Sequence, residues 1–313
     1  MRERIVIATR ESPLALWQAN FVKARLEQAH AGLRVELLGM RTQGDRWLST
    51  PLSEVGGKGL FIKELEQALL DGRADIAVHS MKDVPAELEA DFVLAAIGFR
   101  DDVRDALVSP SGRKLDALPQ GARIGSASLR RQAQLLARRP DLVVRPVRGN
   151  VGTRLGKLDA GEFDALMLAA AGLRRLGLES RVTEYLDVEA SMPAAGQGAL
   201  GIECLAVAAD VRALIAPFDD PRAGACVRAE RAVSAGLGAD CSAPLGAHAE
   251  MDGAGNIRLR AVLAAADGSE VLRASASGRD PGALAAAVVA DLKAAGAAHI
   301  LASLAHSAPP GRG

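Results

Sequence analysis

The chain has 313 residues, is 49% hydrophobic but only 3% aromatic, and balances 38 basic against 38 acidic residues. That length exceeds one typical domain and suits two or three, with cores built from Ala, Leu, Val and Ile. Zero net charge leaves no global field for nucleic acid or an anionic membrane, so any anion-binding surface has to be local. Cys204, Cys226 and Cys241 form an odd, sparse set without metal-type spacing, which fits a reducing compartment and no disulfides. The N-terminus runs almost at once into Ile5-Val6-Ile7-Ala8, too short for a signal-peptide core, and no apolar stretch nears the ~20 residues that span a bilayer. The expectation is a soluble, cytoplasmic protein.

In chain order, Ile5-Val6-Ile7-Ala8 reads as a strand. Ser12 is a candidate N-cap with Pro13 at the first helical position, and residues 14–28 carry helical periodicity through Leu14, Trp17, Phe21, Val22 and Leu26. A strand over 35–40, a helix over 60–70 and a strand at Ile76-Ala77-Val78 follow. Residues 100–105 are densely charged and read as a crossing between domains. A second βα series pairs strands at 122–125, 142–147 and 165–168 with helices at 129–137, 153–160 and 170–176. Residues 193–198 have the composition of another crossover, and 199–204 read as a strand. Beyond Pro217 the pattern changes to a helix at 223–235, a hairpin of 257–263 and 271–275 about Asp267-Gly268, and a closing helix at 284–297. The tail 307–313 reads as disordered. Two βα lobes joined by two crossings resemble the type II periplasmic-binding-protein architecture, with a cleft between lobes and a small C-terminal α+β domain.

Polar and basic residues recur where strands hand over to helices. Arg10 and Ser12 follow the first strand, and Ser80, Lys82 and Asp83 follow the third. Ser126, Ser128, Arg130 and Arg131 come after 122–125, Arg148, Asn150, Thr153 and Arg154 after 142–147, and Arg174 and Arg175 after 165–168. Parallel strands put such junctions on one edge of a sheet, where helix N-termini add N–H donors, so the set converges on a cleft for carboxylates or phosphates. Gly56-Gly57-Lys58-Gly59 lacks the frame of a P-loop; it reads instead as a flap whose Lys58 closes over an anion. Cys204 and Cys226 read as inert core residues. Cys241, among small residues in Gly238-Ala239-Asp240-Cys241-Ser242-Ala243, is the candidate nucleophile. The five histidines show no ligand spacing, so no metal is assigned.

Several motifs in this order resemble one family: Ala8-Thr9-Arg10-Glu11-Ser12-Pro13-Leu14-Ala15, Gly56-Gly57-Lys58-Gly59-Leu60-Phe61, and His79-Ser80-Met81-Lys82-Asp83-Val84-Pro85. Ser126-Ala127-Ser128-Leu129-Arg130-Arg131, Arg148-Gly149-Asn150-Val151-Gly152-Thr153-Arg154 and Ala195-Gly196-Gln197-Gly198-Ala199 complete the set. The family is porphobilinogen deaminase, and the resemblance runs from Ile5 to about Gly246. It implies a first lobe of residues 1–98 completed by 199–216, a second lobe of 99–198, and a C-terminal domain of 217–313. It also implies a transferase that condenses four porphobilinogen molecules head to tail with loss of ammonia, giving hydroxymethylbilane. A dipyrromethane cofactor would be held as a thioether on Cys241.

On that resemblance, Asp83 is the catalytic carboxylate, and Lys82, Arg10 and Ser12 orient substrate carboxylates. Arg130, Arg131, Arg148, Arg154 and Arg175 hold the cofactor and growing chain, aided by Ser80, Ser126 and Ser128, with Gln197 a weaker candidate. The residue matching Phe61 borders the site, and a monomer with no nucleic-acid or membrane partner is implied. Two positions depart from the family's pattern, Glu54 where Lys is frequent and Asp240 where Gly commonly precedes the cysteine; a carboxylate beside Cys241 raises the thiol pKa and slows attachment. The reading from another class is a non-catalytic two-lobed anion receptor.

Overall fold

The computed structural model describes residues 2–42, 62–239 and 243–307. Lys58, Cys241, Glu54, Phe61 and Asp240 lie outside the described residues, as does the tail from 308 onward.

The first lobe begins with β1 (Arg4–Arg10), α1 (Pro13–Ala29), β2 (Arg34–Met40), α2 (Lys63–Leu70), β3 (Ile76–Ser80) and β4 (Phe92–Gly98). After a crossing, the second lobe contains β5 (Asp105–Val108), β6 (Arg123–Gly125), α3 (Leu129–Arg138), β7 (Val143–Arg145), α4 (Val151–Asp159), β8 (Ala165–Ala169), α5 (Ala170–Arg175) and β9 (Glu184–Leu186). The chain then returns as β10 (Leu200–Leu205) and α6 (Ala209–Ile215). The strand orders are β2-β1-β3-β10-β4 and β7-β6-β8-β5-β9. Within each sheet one strand runs against the rest: β10 is antiparallel to β3 and β4, and β5 is antiparallel to β8 and β9. Each crossing therefore delivers an antiparallel strand into the other lobe's sheet. That exchange is the type II periplasmic-binding-protein arrangement, and it leaves β1, β3, β6 and β8 parallel with their C-terminal ends on the cleft edge.

The crossings also touch each other. Asp101 N donates to Gly198 O at 3.0 Å, and a Cβ on Gly198, at φ +87°, would sit 2.5 Å from Asp101 O. Only glycine fits there without strain. The C-terminal domain is the antiparallel sheet β11 (Leu245–Met251), β12 (Ile257–Ala264) and β13 (Val271–Gly278), covered by α7 (Pro221–Gly236) and α8 (Pro281–Ala294), with α9 (Ala297–Ser307) beyond. Its core joins Val233 of α7, Leu259 of β12 and Val288 of α8.

Several elements differ from the sequence expectation. β4, β5, β9, β11 and α6 were not foreseen, and the closing helix is broken at Gly296, whose φ of +109° ends α8 before α9 begins. Among the described residues, no single helix is long and apolar enough to cross a membrane.

Candidate active site

β3 is buried through Ile76, Ala77 and Val78 and then opens into a 3-10 turn, Met81–Asp83. Met81 is wholly buried and pins the turn, while Lys82 is half-buried and Asp83 exposed. Gln18 of α1 donates through Nε2 to Ser80 Oγ at 2.7 Å. Ser12 caps α1, its Oγ accepting from Ala15 N at 3.3 Å. Arg10, Ser12, Gln18, Ser80 and Asp83 line one groove. Arg10, Ser12, Ser80 and Asp83 are thus brought together, and Gln18 is an addition that by its spacing reads as part of the core face of α1.

On the second lobe, the two adjacent arginines share one acid. Arg130 Nη1 donates to Asp105 Oδ2 at 2.7 Å and to Met192 O at 2.5 Å. Arg131 donates through Nη2 and Nε to Asp105 Oδ1 at 2.7 and 3.0 Å. Ser191 Oγ and Gln197 Nε2 complete the shell at 2.7 and 3.0 Å. Asp105 has no exposed surface, and both arginines are buried. Burial alone would raise the Asp105 pKa, but the two guanidinium groups outweigh it and hold the carboxyl well below the usual range. Two cations on one anion leave the cluster with an excess positive charge. Ser126 and Ser128 act locally: Ser128 N donates to Ser126 Oγ at 3.3 Å, and Ser128 Oγ caps α3 by accepting from Arg131 N at 3.4 Å.

The remaining cations face the same region. Burial, then the fields of Arg131 and Arg130, push the Lys82 ammonium down to about 8 against the pull of Asp83 and Asp105. Arg154 is brought down to about 10 by burial and by Arg131, Arg148 and Arg10, with Asp83 opposing. Residues of both lobes therefore lie within electrostatic reach across one cleft. Arg154 Nε donates to Gly149 O at 2.7 Å, Asn150 caps α4 on Thr153 N at 2.9 Å, and burial lowers Arg148. Arg175 stands apart. Its Nη2 donates to Gly198 O at 2.6 Å and its guanidinium lies 5.6 and 5.5 Å from the Trp17 and Phe99 rings, a stacked packing against the crossings.

A group carrying several acetates and propionates fits these donors. The cleft holds depressed cations whose mutual repulsion a carboxylate relieves, and the arginine forks suit bidentate carboxylate binding. The sequence reading missed Asp105, because an acid inside the run 100–105 looks solvated; its one signal is the apolar Ala106-Leu107-Val108 that follows.

These features define a type II, two-lobed α/β protein with a cationic interlobe cleft and one exposed carboxylate at the end of a central strand. Residues 5–213 match the family described as porphobilinogen deaminase, dipyromethane cofactor binding domain, and residues 224–294 match porphobilinogen deaminase, C-terminal domain. The chain belongs to the porphobilinogen deaminase family. The porphobilinogen deaminase of Thiobacillus denitrificans is 54% identical over 302 residues, covering 96% of this chain and 98% of that one. That of Chromobacterium violaceum is 57% identical over 276 residues, covering 88% and 89%. The enzyme of Bordetella parapertussis is 54% identical over 309 residues, covering 98% of each. Among solved structures, the periplasmic aliphatic sulphonate binding protein SsuA of Escherichia coli is 13% identical with a TM-score of 0.41, over 75% of this chain and 70% of that one. Family membership does not favour the non-catalytic receptor.

Proposed function

We propose that this chain carries out its family's reaction with Asp83 as the reacting carboxylate and the arginines of both lobes as the track for its products. The activity is that of a hydroxymethylbilane synthase: four porphobilinogen molecules are joined head to tail, ammonia leaves each time, and the linear tetrapyrrole hydroxymethylbilane results. Its cofactor is a dipyrromethane, which supplies the nucleophilic pyrrole carbon when bound.

The observation that carries the assignment of Asp83 is its place, exposed at the end of β3 beside Lys82 and within the field of Arg154. As the aminomethyl nitrogen leaves, positive charge develops on the substrate's pyrrole and methylene carbon. A carboxylate aimed at that charge lowers the barrier, and it can accept the ring proton released when the two carbons join. Lys82, Arg10 and Ser12 orient the acetate and propionate of the incoming ring. Arg148 and Arg154 take the carboxylates of rings already joined. Arg130 and Arg131, fixed on Asp105, offer the N–H groups their ion pairs leave unused, and Gln197 and Ser191 keep Asp105 in place. Ser80, Ser126 and Ser128 shape the strand-to-helix junctions. Arg175 contributes through the crossings, Lys58 as the flap cation, and Cys241 as the thioether attachment.

The proposed divisions are 1–98 with 199–216, 99–198 and 217–313; the placing of β10 between β3 and β4 supports the first. We also place the chain in the cytoplasm as a monomer acting without nucleic acid or membrane. Balanced charge and the buried free thiols of Cys204 and Cys226 support this.

Intact mass of the purified chain and its Cys241→Ser variant, before and after porphobilinogen, tests the reading. The wild type should exceed its sequence mass by two linked pyrroles and grow in equal further steps, and the variant should carry none. A wild type that stays at its bare mass with substrate present would refute it.

A further inference from the structure

The segment after Asp83 has no strand or helix to hold it. Residues 84–89 are irregular, and Pro85 brings no N–H of its own, so the carbonyls of Val84, Pro85 and Ala86 need partners from elsewhere. All three find the same one. Arg231, on α7 of the C-terminal domain, donates through Nη1 to Val84 O at 3.0 Å and through Nη2 to Pro85 O at 2.6 Å and Ala86 O at 3.0 Å. One turn earlier on the same helix face, Val227 is wholly buried in a cluster with Met81 and Val84.

The α7 face thus grips the segment twice, by an apolar contact beneath Met81 and a guanidinium fork over the carbonyls that follow. Burial lowers the Arg231 pKa to about 10, and the nearby Glu203 opposes that fall. Glu203 in turn accepts from His79 Nε2 at 2.8 Å, on the strand residue just before Ser80. The stretch 79–86 is therefore tied at both ends, and Asp83 stands between the ties.

We propose that Arg231 is a positioning residue for the condensation: from the C-terminal domain it fixes the backbone that aims Asp83. A lysine gathers its three donors on one flexible nitrogen, whereas the planar guanidinium reaches Val84 O from one nitrogen and Pro85 O and Ala86 O from another, so lysine does not reproduce the fixed grip. The proposal rests on the reading of Asp83 as the reacting carboxylate, and the experiment separates the two.

Steady-state kinetics with porphobilinogen are measured for wild type, Arg231→Lys, Arg231→Gln and Asp83→Asn, each at a temperature well below its melting point and after intact mass has shown the dipyrromethane attached. Both Arg231 variants should lose at least tenfold in kcat with KM within about twofold. Hydrogen exchange should rise in the peptide covering 80–88 and not in the β-sheet of the C-terminal domain. Normal kcat in Arg231→Lys and Arg231→Gln, or a rise in KM alone, overturns the proposal. If Asp83→Asn turns over normally, the reading of Asp83 fails whatever Arg231 does. Should Arg231→Gln not fold, Arg231→Lys decides; should neither fold, fast exchange of the 84–88 amides in the wild type overturns it and slow exchange sustains it.

Discussion

Asp105→Asn is the substitution with the most calculable consequence. The carboxylate is wholly buried and accepts from Arg130, Arg131, Ser191 and Gln197. Asparagine keeps the shape and one accepting oxygen, but it removes the one negative charge that, among the described residues, is bonded to these two guanidinium groups, and turns an NH2 toward donors. Breaking a buried ion pair by removing one partner costs about 3–5 kcal/mol. A loss of that size is a large part of a domain's typical stability of roughly 5–15 kcal/mol. Urea unfolding followed by circular dichroism should show the second lobe's transition moved to lower urea by that amount. Adding Arg131→Met should recover part of the loss, because it removes one of the stranded cations, so the double variant should be more stable than the sum of the singles. A shift below about 1 kcal/mol for Asp105→Asn, with strictly additive energies, would refute the picture of Asp105 as the anchor.

Three further outcomes follow from the charges and the packing. Lys82 titrates near 8, and an anionic ligand favours its charged form, so KM for porphobilinogen should rise roughly tenfold between pH 7 and pH 9 as the ammonium is lost; Lys82→Gln should abolish that step, and a flat wild-type KM would exclude Lys82 from binding. Glu66 is raised from 4.5 to about 7 by burial and by Glu203 and Glu89. Between those values the folded chain holds a proton that the unfolded chain releases, so wild-type stability should fall by about 3 kcal/mol as pH rises through the window, and Glu66→Gln should remove the slope. At Gly268, φ is +76° and a Cβ would lie 2.3 Å from Ala137 N and 2.8 Å from Ala133 O. Gly268→Ala should therefore cost about 2 kcal/mol or more in thermal unfolding, whereas a neutral substitution would mean that the hairpin does not dock on α3.

Local signals in the sequence led to correct local structure. Ser12-Pro13 starts α1, the apolar run at Ile76 ends in the turn bearing Lys82 and Asp83, and Asp267-Gly268 turns the hairpin. Long-range pairing was not legible. Arg130 and Arg131 read as cleft arginines from their place after a strand, but the acid that fixes them lies in the run 100–105, where every charge looks solvated, and only the fold buries Asp105 beneath α3. The run Phe92–Gly98 is apolar without a period, which fits a buried strand or a helix segment alike. β11 is Leu245-Gly246-Ala247-His248-Ala249-Glu250-Met251, and its small residues carry weak strand propensity; tertiary packing against α7 sets it. Arg231 gave no signal at all, since three carbonyls of a distant loop cannot be read from an arginine in a helix.

On the role proposed for Asp83, the electrostatics of the cleft let one carboxylate serve every round. Arg154 and Lys82 are depressed by burial first and by neighbouring cations as well, so an added anion in the cleft relieves repulsion among them. Each ring that enters brings two carboxylates and relieves part of that repulsion, wherever along the arginines it settles. Binding by a distributed field tolerates a chain that shifts by one ring, which a single tight socket would not. Such a field holds the product but cannot aim a proton acceptor, so aim has to come from packing. The C-terminal domain supplies it on both walls. Its hairpin meets α3, where Gln132 Nε2 donates to Ala266 O at 3.1 Å two residues beyond Arg130, and its α7 holds the segment after Asp83 through Arg231. One domain thus touches both the helix that carries the arginine pair and the segment that follows the carboxylate proposed to react.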